Sequence, residues 1–162
     1  MLNWNFLFQL CIVLLPIVSI FLTGLKFPVE NQIIKPVFQP PSWAFSLVWT
    51  YITIALGLIT NIFFTSAAMC QRFVIILFFI TLLALLNSWL VFNYNKSYKV
   101  SFYVLVASCF VSIMYICYLC FISNGINSSF LVFFLLPLPF WLCVASCLNG
   151  VIYQEAYNKR LV

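Results

Sequence analysis

Five continuous apolar runs, at about 3–25, 41–64, 73–92, 100–121 and 130–157, make up nearly the whole chain, and the polar links between them are short. A helix rises about 1.5 Å per residue, so about 20 apolar residues cross the roughly 30 Å hydrocarbon core of a bilayer. Every run reaches that length. In lipid the backbone must satisfy its own hydrogen bonds, which a helix does; a β-barrel would show short alternating segments instead. The runs therefore predict an all-α membrane protein, a bundle of five transmembrane helices forming one domain over residues 1–162. Charged residues are only 6% of the chain, against about 25% in soluble domains. That excludes an ordinary soluble enzyme, a disordered chain and a nucleic-acid-binding domain; the expected surroundings are membrane lipids.

Charge placement predicts an orientation. With five spans, Arg72 stands alone on the side of the N-terminus, while Lys26, Lys35, Lys96, Lys99, Lys159 and Arg160 share the other side. Cytoplasmic flanks are enriched in Lys and Arg, so the N-terminus is expected outside and the C-terminus in the cytosol. A bacterial envelope and a mitochondrial outer membrane fit equally. The first run has no Lys or Arg before it and lacks a small-x-small cleavage site, so it is expected to be a retained span.

Several chemistries are excluded or disfavoured. There is no histidine, which removes the commonest metal ligand and the Ser-His-Asp and Cys-His nucleophile systems. Seven cysteines lie mostly within apolar runs, where they are expected to act as small apolar residues. Cys117 and Cys120 form a C-x-x-C without a second pair, and zinc needs about four ligands. No metal site is expected and no cofactor is required. Glu30 and Glu155 both fall near the membrane edges, so no general acid/base pair lies within the apolar runs.

Two segments say more. Lys35-Pro-Val-Phe-Gln-Pro-Pro-Ser-Trp43-Ala-Phe-Ser-Leu-Val-Trp49 carries a polar loop into the second run through Pro40 and Pro41, and proline suits a first helical turn. The indoles of Trp43 and Trp49 are six residues apart, about 120° around a helix and about 9 Å in depth. Trp43 suits an interfacial aromatic belt. Trp49 lies deeper, on a face with Ser42, Ser46, Thr53 and Thr60, so its N–H should face protein or ligand. In the fifth run Trp141, Ala145 and Asn149 share a stripe, and Ser146-x-x-x-Gly150 permits close helix contact. Helix packing and ligand contact both fit this stripe, and the same ambiguity holds for Asn87 and Trp89 in the third run.

These two segments, the Asn and Trp of the third run and the five-span order resemble the TspO/MBR family of tryptophan-rich sensory and translocator proteins over essentially the whole chain. The resemblance implies a five-helix bundle, a homodimer, and a pocket closed by the first loop (about 26–40) that binds porphyrins, sterols and drug-like molecules. Trp49, Asn87, Trp141 and Ala145 match pocket positions, and Trp43, Pro40 and Pro41 match the loop-to-helix signature. With Trp89 and Asn149 these form the expected ligand-binding set, and Lys26 and Lys35 would face propionates. A porphyrin or haem would be held by contacts other than the metal. The chain departs from the family pattern in four places. Val29-Glu30 stands where a Trp-Tyr pair is usual, implying weaker affinity for drug-like ligands, and Phe38 replaces a tryptophan. The third run has N-x-W rather than N-x-x-W. The sterol-consensus Tyr and Arg fall on Gly150 and Gln154, although Leu148, Tyr153 and Lys159 satisfy the loose pattern in a shifted register.

Three functions follow as expectations. One is binding or transport of tetrapyrroles and other lipophiles such as sterols, in a sensory or stress-regulatory role. Another is light-dependent porphyrin breakdown, which would rest on Trp49 and Trp141. The third is a structural or lipid-handling protein that has lost the family ligand. A binding protein rather than an enzyme is the leading expectation.

Overall fold

The computed structural model describes residues 4–28, 36, 39–123 and 131–158. Five helices run in order: α1 (Trp4–Lys26), α2 (Ser42–Ser66), α3 (Met69–Tyr94), α4 (Tyr98–Ile122) and α5 (Pro137–Asn158). With the turn that precedes α5, all five are long and apolar enough to span a bilayer, and the protein is an integral, multi-pass membrane protein. The expected gating loop falls largely outside the described residues.

The links are shorter than the sequence suggests because helix ends are capped locally. Only Ala67 and Ala68 separate α2 from α3. There the Arg72 guanidinium donates to the carbonyls of Ala67 (2.9 Å) and Thr65 (3.3 Å), placing a cation on the unpaired carbonyl end of α2. The Gln71 side chain accepts the Ala68 N–H at 3.0 Å. Between α3 and α4, the Ser97 N–H donates to the Phe92 carbonyl and the Lys96 N–H to the Asn93 carbonyl. Lys96 adopts φ 60°. This is a Schellman closure with lysine in the left-handed position usually held by glycine.

The expected fifth span, 130–157, is not one continuous helix. Pro137 and Pro139 have no N–H to give to the turn before them. The chain therefore forms a 3-10 turn at Phe133–Leu135, closed by Leu136 N–H to the Phe133 carbonyl at 3.1 Å, before α5 starts.

The helices form a closed ring. α1 packs on α2 and α3, α3 on α4, and α4 on α5, while α5 meets α2 only lightly. The tightest approach is between α1 and α2. A Cβ added at Gly57 would lie 2.5 Å from the Val13 carbonyl oxygen, so the missing side chain lets the two backbones touch. Ile52, Leu56, Phe79, Leu82, Leu86, Leu105, Tyr115, Leu119 and Leu142 fill the centre. One polar pair there spans two helices: the Thr60 and Tyr115 hydroxyls lie 2.8 Å apart, joining α2 to α4. Six of the seven cysteines are exposed and face outward, while Cys109 is half-buried against the core. A thiol is apolar enough to sit against lipid.

Candidate ligand-binding site

Just before α2 the Gln39 N–H donates to the Pro36 carbonyl at 3.0 Å. Pro40 and Pro41 follow, and Pro41 caps the helix with extended backbone (φ −61°, ψ 151°). The residue before a proline is biased toward extended backbone as well. Behind this entry a cavity of about 270 Å³ opens between α1, α2 and α3. Ile20 and Gly24 of α1, Phe45 and Trp49 of α2, and Leu86, Trp89 and Leu90 of α3 form its apolar wall; Gln39, Ser42 and Ser46 supply its polar groups. A second gap of about 20 Å³ lies toward α5, bounded by Ala145, Leu148, Asn149 and Ile152, and shares Gln39, Phe45 and Trp89 with the first.

Trp49 and Trp89 stack on each other in the cavity wall, with centroids 5.7 Å apart and planes 21° from parallel. Trp89 is held from behind: its indole N–H donates to Asn149 Oδ1 at 3.4 Å, and the Ser101 hydroxyl donates to the same oxygen at 3.1 Å. The Asn149 amide in turn donates to the Ala145 carbonyl at 3.0 Å. One asparagine thus joins α3, α4 and α5 and fixes one face of the indole pair. Trp141 packs edge-on against Phe45, with centroids 5.1 Å apart and planes 71° apart. It is 9% exposed, and its indole N–H has no hydrogen-bond partner.

The expected site residues are divided among several places. Trp49 and Trp89 share the main cavity, and Ala145 and Asn149 line the smaller gap. Trp141 backs Phe45 without bordering either. Asn87 is elsewhere: its side chain accepts from the Thr23 hydroxyl at 2.6 Å and donates to the Leu83 carbonyl at 2.7 Å, tying α3 to α1. The two residues of N-x-W lie about 200° apart on a helix, so only Trp89 looks into the cavity. Trp43 is 69% exposed and points outward, as an interfacial belt residue does. Pro40 and Pro41 shape the entry to α2. Lys26 is exposed, with its ammonium 5.5 Å from the Phe27 ring, two residues past Gly24. The shifted sterol pattern is not one surface. Leu148 is buried beside the smaller gap, whereas Tyr153 lies with Phe102, Gly150, Gln154 and Tyr157 on an outer groove. Val29, Glu30, Lys35, Phe38 and Lys159 lie outside the described residues.

Gln39, Phe45, Leu86 and Gly24 are site residues that the sequence reading missed. Phe45 and Gln39 both stand inside the quoted proline-tryptophan segment. Their signal is position: Gln39 immediately precedes the double proline, and Phe45 stands one helical turn before Trp49.

The fold and its cavity define a multi-pass, five-helix membrane protein with a pocket walled by stacked indoles at one end of the bundle. The chain belongs to the TspO/MBR family, whose model matches residues 10–154. A search of curated proteins gave no match.

Proposed function

We propose that the protein binds tetrapyrroles and other flat lipophilic molecules in the cavity between α1, α2 and α3, and carries or senses them in the membrane. The Trp49–Trp89 stack carries this reading. Aromatic faces attract flat conjugated rings, and an apolar cavity with a few polar groups is the usual form of a small-molecule site. Family membership supports it. At about 270 Å³ the cavity takes one edge of a macrocycle. The polar edge would stay at the mouth, on the side where Lys26 stands.

Titration of protoporphyrin into the protein in lipid nanodiscs, followed by tryptophan quenching, tests this. Saturable quenching is expected, with affinity about three- to tenfold weaker in Trp49→Phe or Trp89→Phe and unchanged in Trp43→Phe. Non-saturating quenching that is equal in all variants means partition into lipid, and ends the tetrapyrrole reading.

A further inference from the structure

We propose that Gln39 selects the ligand of this cavity, and that the ligand's buried edge is uncharged and carries a hydrogen-bond donor, a hydroxyl or an N–H. The inference rests on the cavity being a ligand site, and it names the chemistry that site reads.

The polar groups of the wall are not equivalent. The Trp89 N–H is spent on Asn149. The Ser46 hydroxyl donates to the Ser42 carbonyl of its own helix at 3.3 Å. Ser42 is exposed, so water reaches its hydroxyl. Gln39 differs: its Oε1 is enclosed by protein and has no hydrogen-bond partner, and its side chain borders both the main cavity and the smaller gap. A buried amide oxygen without a donor is costly, and the bond from the Gln39 N–H to the Pro36 carbonyl anchors the residue's backbone beside the cavity. A ligand donor in the cavity, met by rotation of the side-chain amide, removes that cost. No Lys, Arg, Asp or Glu borders either cavity among the described residues, so nothing there compensates a buried charge. An amide acceptor surrounded by indole, phenyl and leucine therefore favours an alcohol or an N–H on the ligand's rim over a carboxylate.

Flat fluorescent probes of one shape test this. The protein in nanodiscs is titrated with 1-pyrenemethanol, with its methyl ether and with 1-pyrenecarboxylate, read by energy transfer from tryptophan and corrected with empty nanodiscs. The ether keeps the oxygen and loses the donor. Wild type is expected to bind the alcohol about fivefold more tightly than the ether, the size of one ordinary hydrogen bond, and to bind the carboxylate most weakly. Gln39→Met is expected to bind alcohol and ether equally, with ether affinity unchanged, which also shows that the variant is folded. An alcohol preference that survives in Gln39→Met, or is absent from wild type, overturns the role of Gln39 and leaves the cavity as a site. Tightest binding of the carboxylate overturns the uncharged-ligand inference and points to the start of α2. If no probe saturates in wild type, the cavity reading fails and this inference fails with it.

Discussion

The two halves of α2 have similar residues and opposite roles. From Ser42 to Thr50 no side chain is fully buried: Phe45, Ser46 and Trp49 border the cavity, and Trp43 and Leu47 point outward. From Ile52 to Phe63 the helix is packed on most sides, with Ile52, Leu56, Gly57, Ile59 and Thr60 buried. Overall apolarity does not separate these halves. What differs is how closely a neighbouring backbone can come. Gly57 lets α1 touch α2, whereas Phe45, Trp49 and Trp89 hold their helices apart with rigid rings. In a bilayer the lipid is as apolar as the core, so close fit and paired polar groups hold helices together rather than hydrophobic transfer. A cavity remains where large rings meet: Gly24 lines it, yet no neighbouring atom comes within 4 Å of the place its side chain would take.

Substitutions can break or sharpen this contrast. The largest effect is expected from Gly57→Leu, because its Cβ would collide with the Val13 backbone, and backbone cannot step aside as a side chain does. Overpacking of this kind costs about 1–3 kcal/mol or more. Unfolding in detergent monitored by circular dichroism should show that loss or failure to fold; unchanged stability would dissolve the contrast. Tyr115→Phe comes next. It leaves the Thr60 hydroxyl without its partner, and interhelical hydrogen bonds in membranes average about 0.6 kcal/mol. The same unfolding assay should detect a drop of that order, and a drop several times larger would mean that Tyr115 supports more than Thr60. Ser46→Ala should do least, within about 0.5 kcal/mol. Its hydroxyl bonds only to its own helix, on the cavity side, and a clear loss would show the first half of α2 to be packed after all.

Much of this was legible in the sequence. Run length gave the spans, because a bilayer imposes one thickness on every helix. The depth of Trp49 and its hydroxyl-bearing face point it inward, and an asparagine inside an apolar run calls for a partner; Trp49 borders the cavity, and Asn149 accepts from Trp89 and Ser101. Which partner each polar residue takes was less accessible. Asn87 and Trp89 are two residues apart, and only the packing of α1 against α3 shows that the first bonds to Thr23 and the second faces the cavity. The stripe of hydroxyls on α2 looked continuous, yet it divides. Ser42 and Ser46 border the cavity, and Thr60 pairs with Tyr115. Gln39 was hidden for a different reason. A glutamine beside two prolines looks like ordinary loop chemistry, and only its enclosure without a partner sets it apart.

Pro16 lies within α1, between the Val13 contact with Gly57 and the cavity residues Ile20 and Gly24. Proline takes one rung out of a helical ladder, and a helix bends most readily where a rung is missing. Mechanically, α1 is a lever clamped at Val13, with a compliant joint one turn above the clamp. The arm beyond the joint is not loose, because the Thr23 hydroxyl pins it to Asn87 of α3, so α1 is held on both sides of its missing rung, by backbone contact below and by one hydrogen bond above.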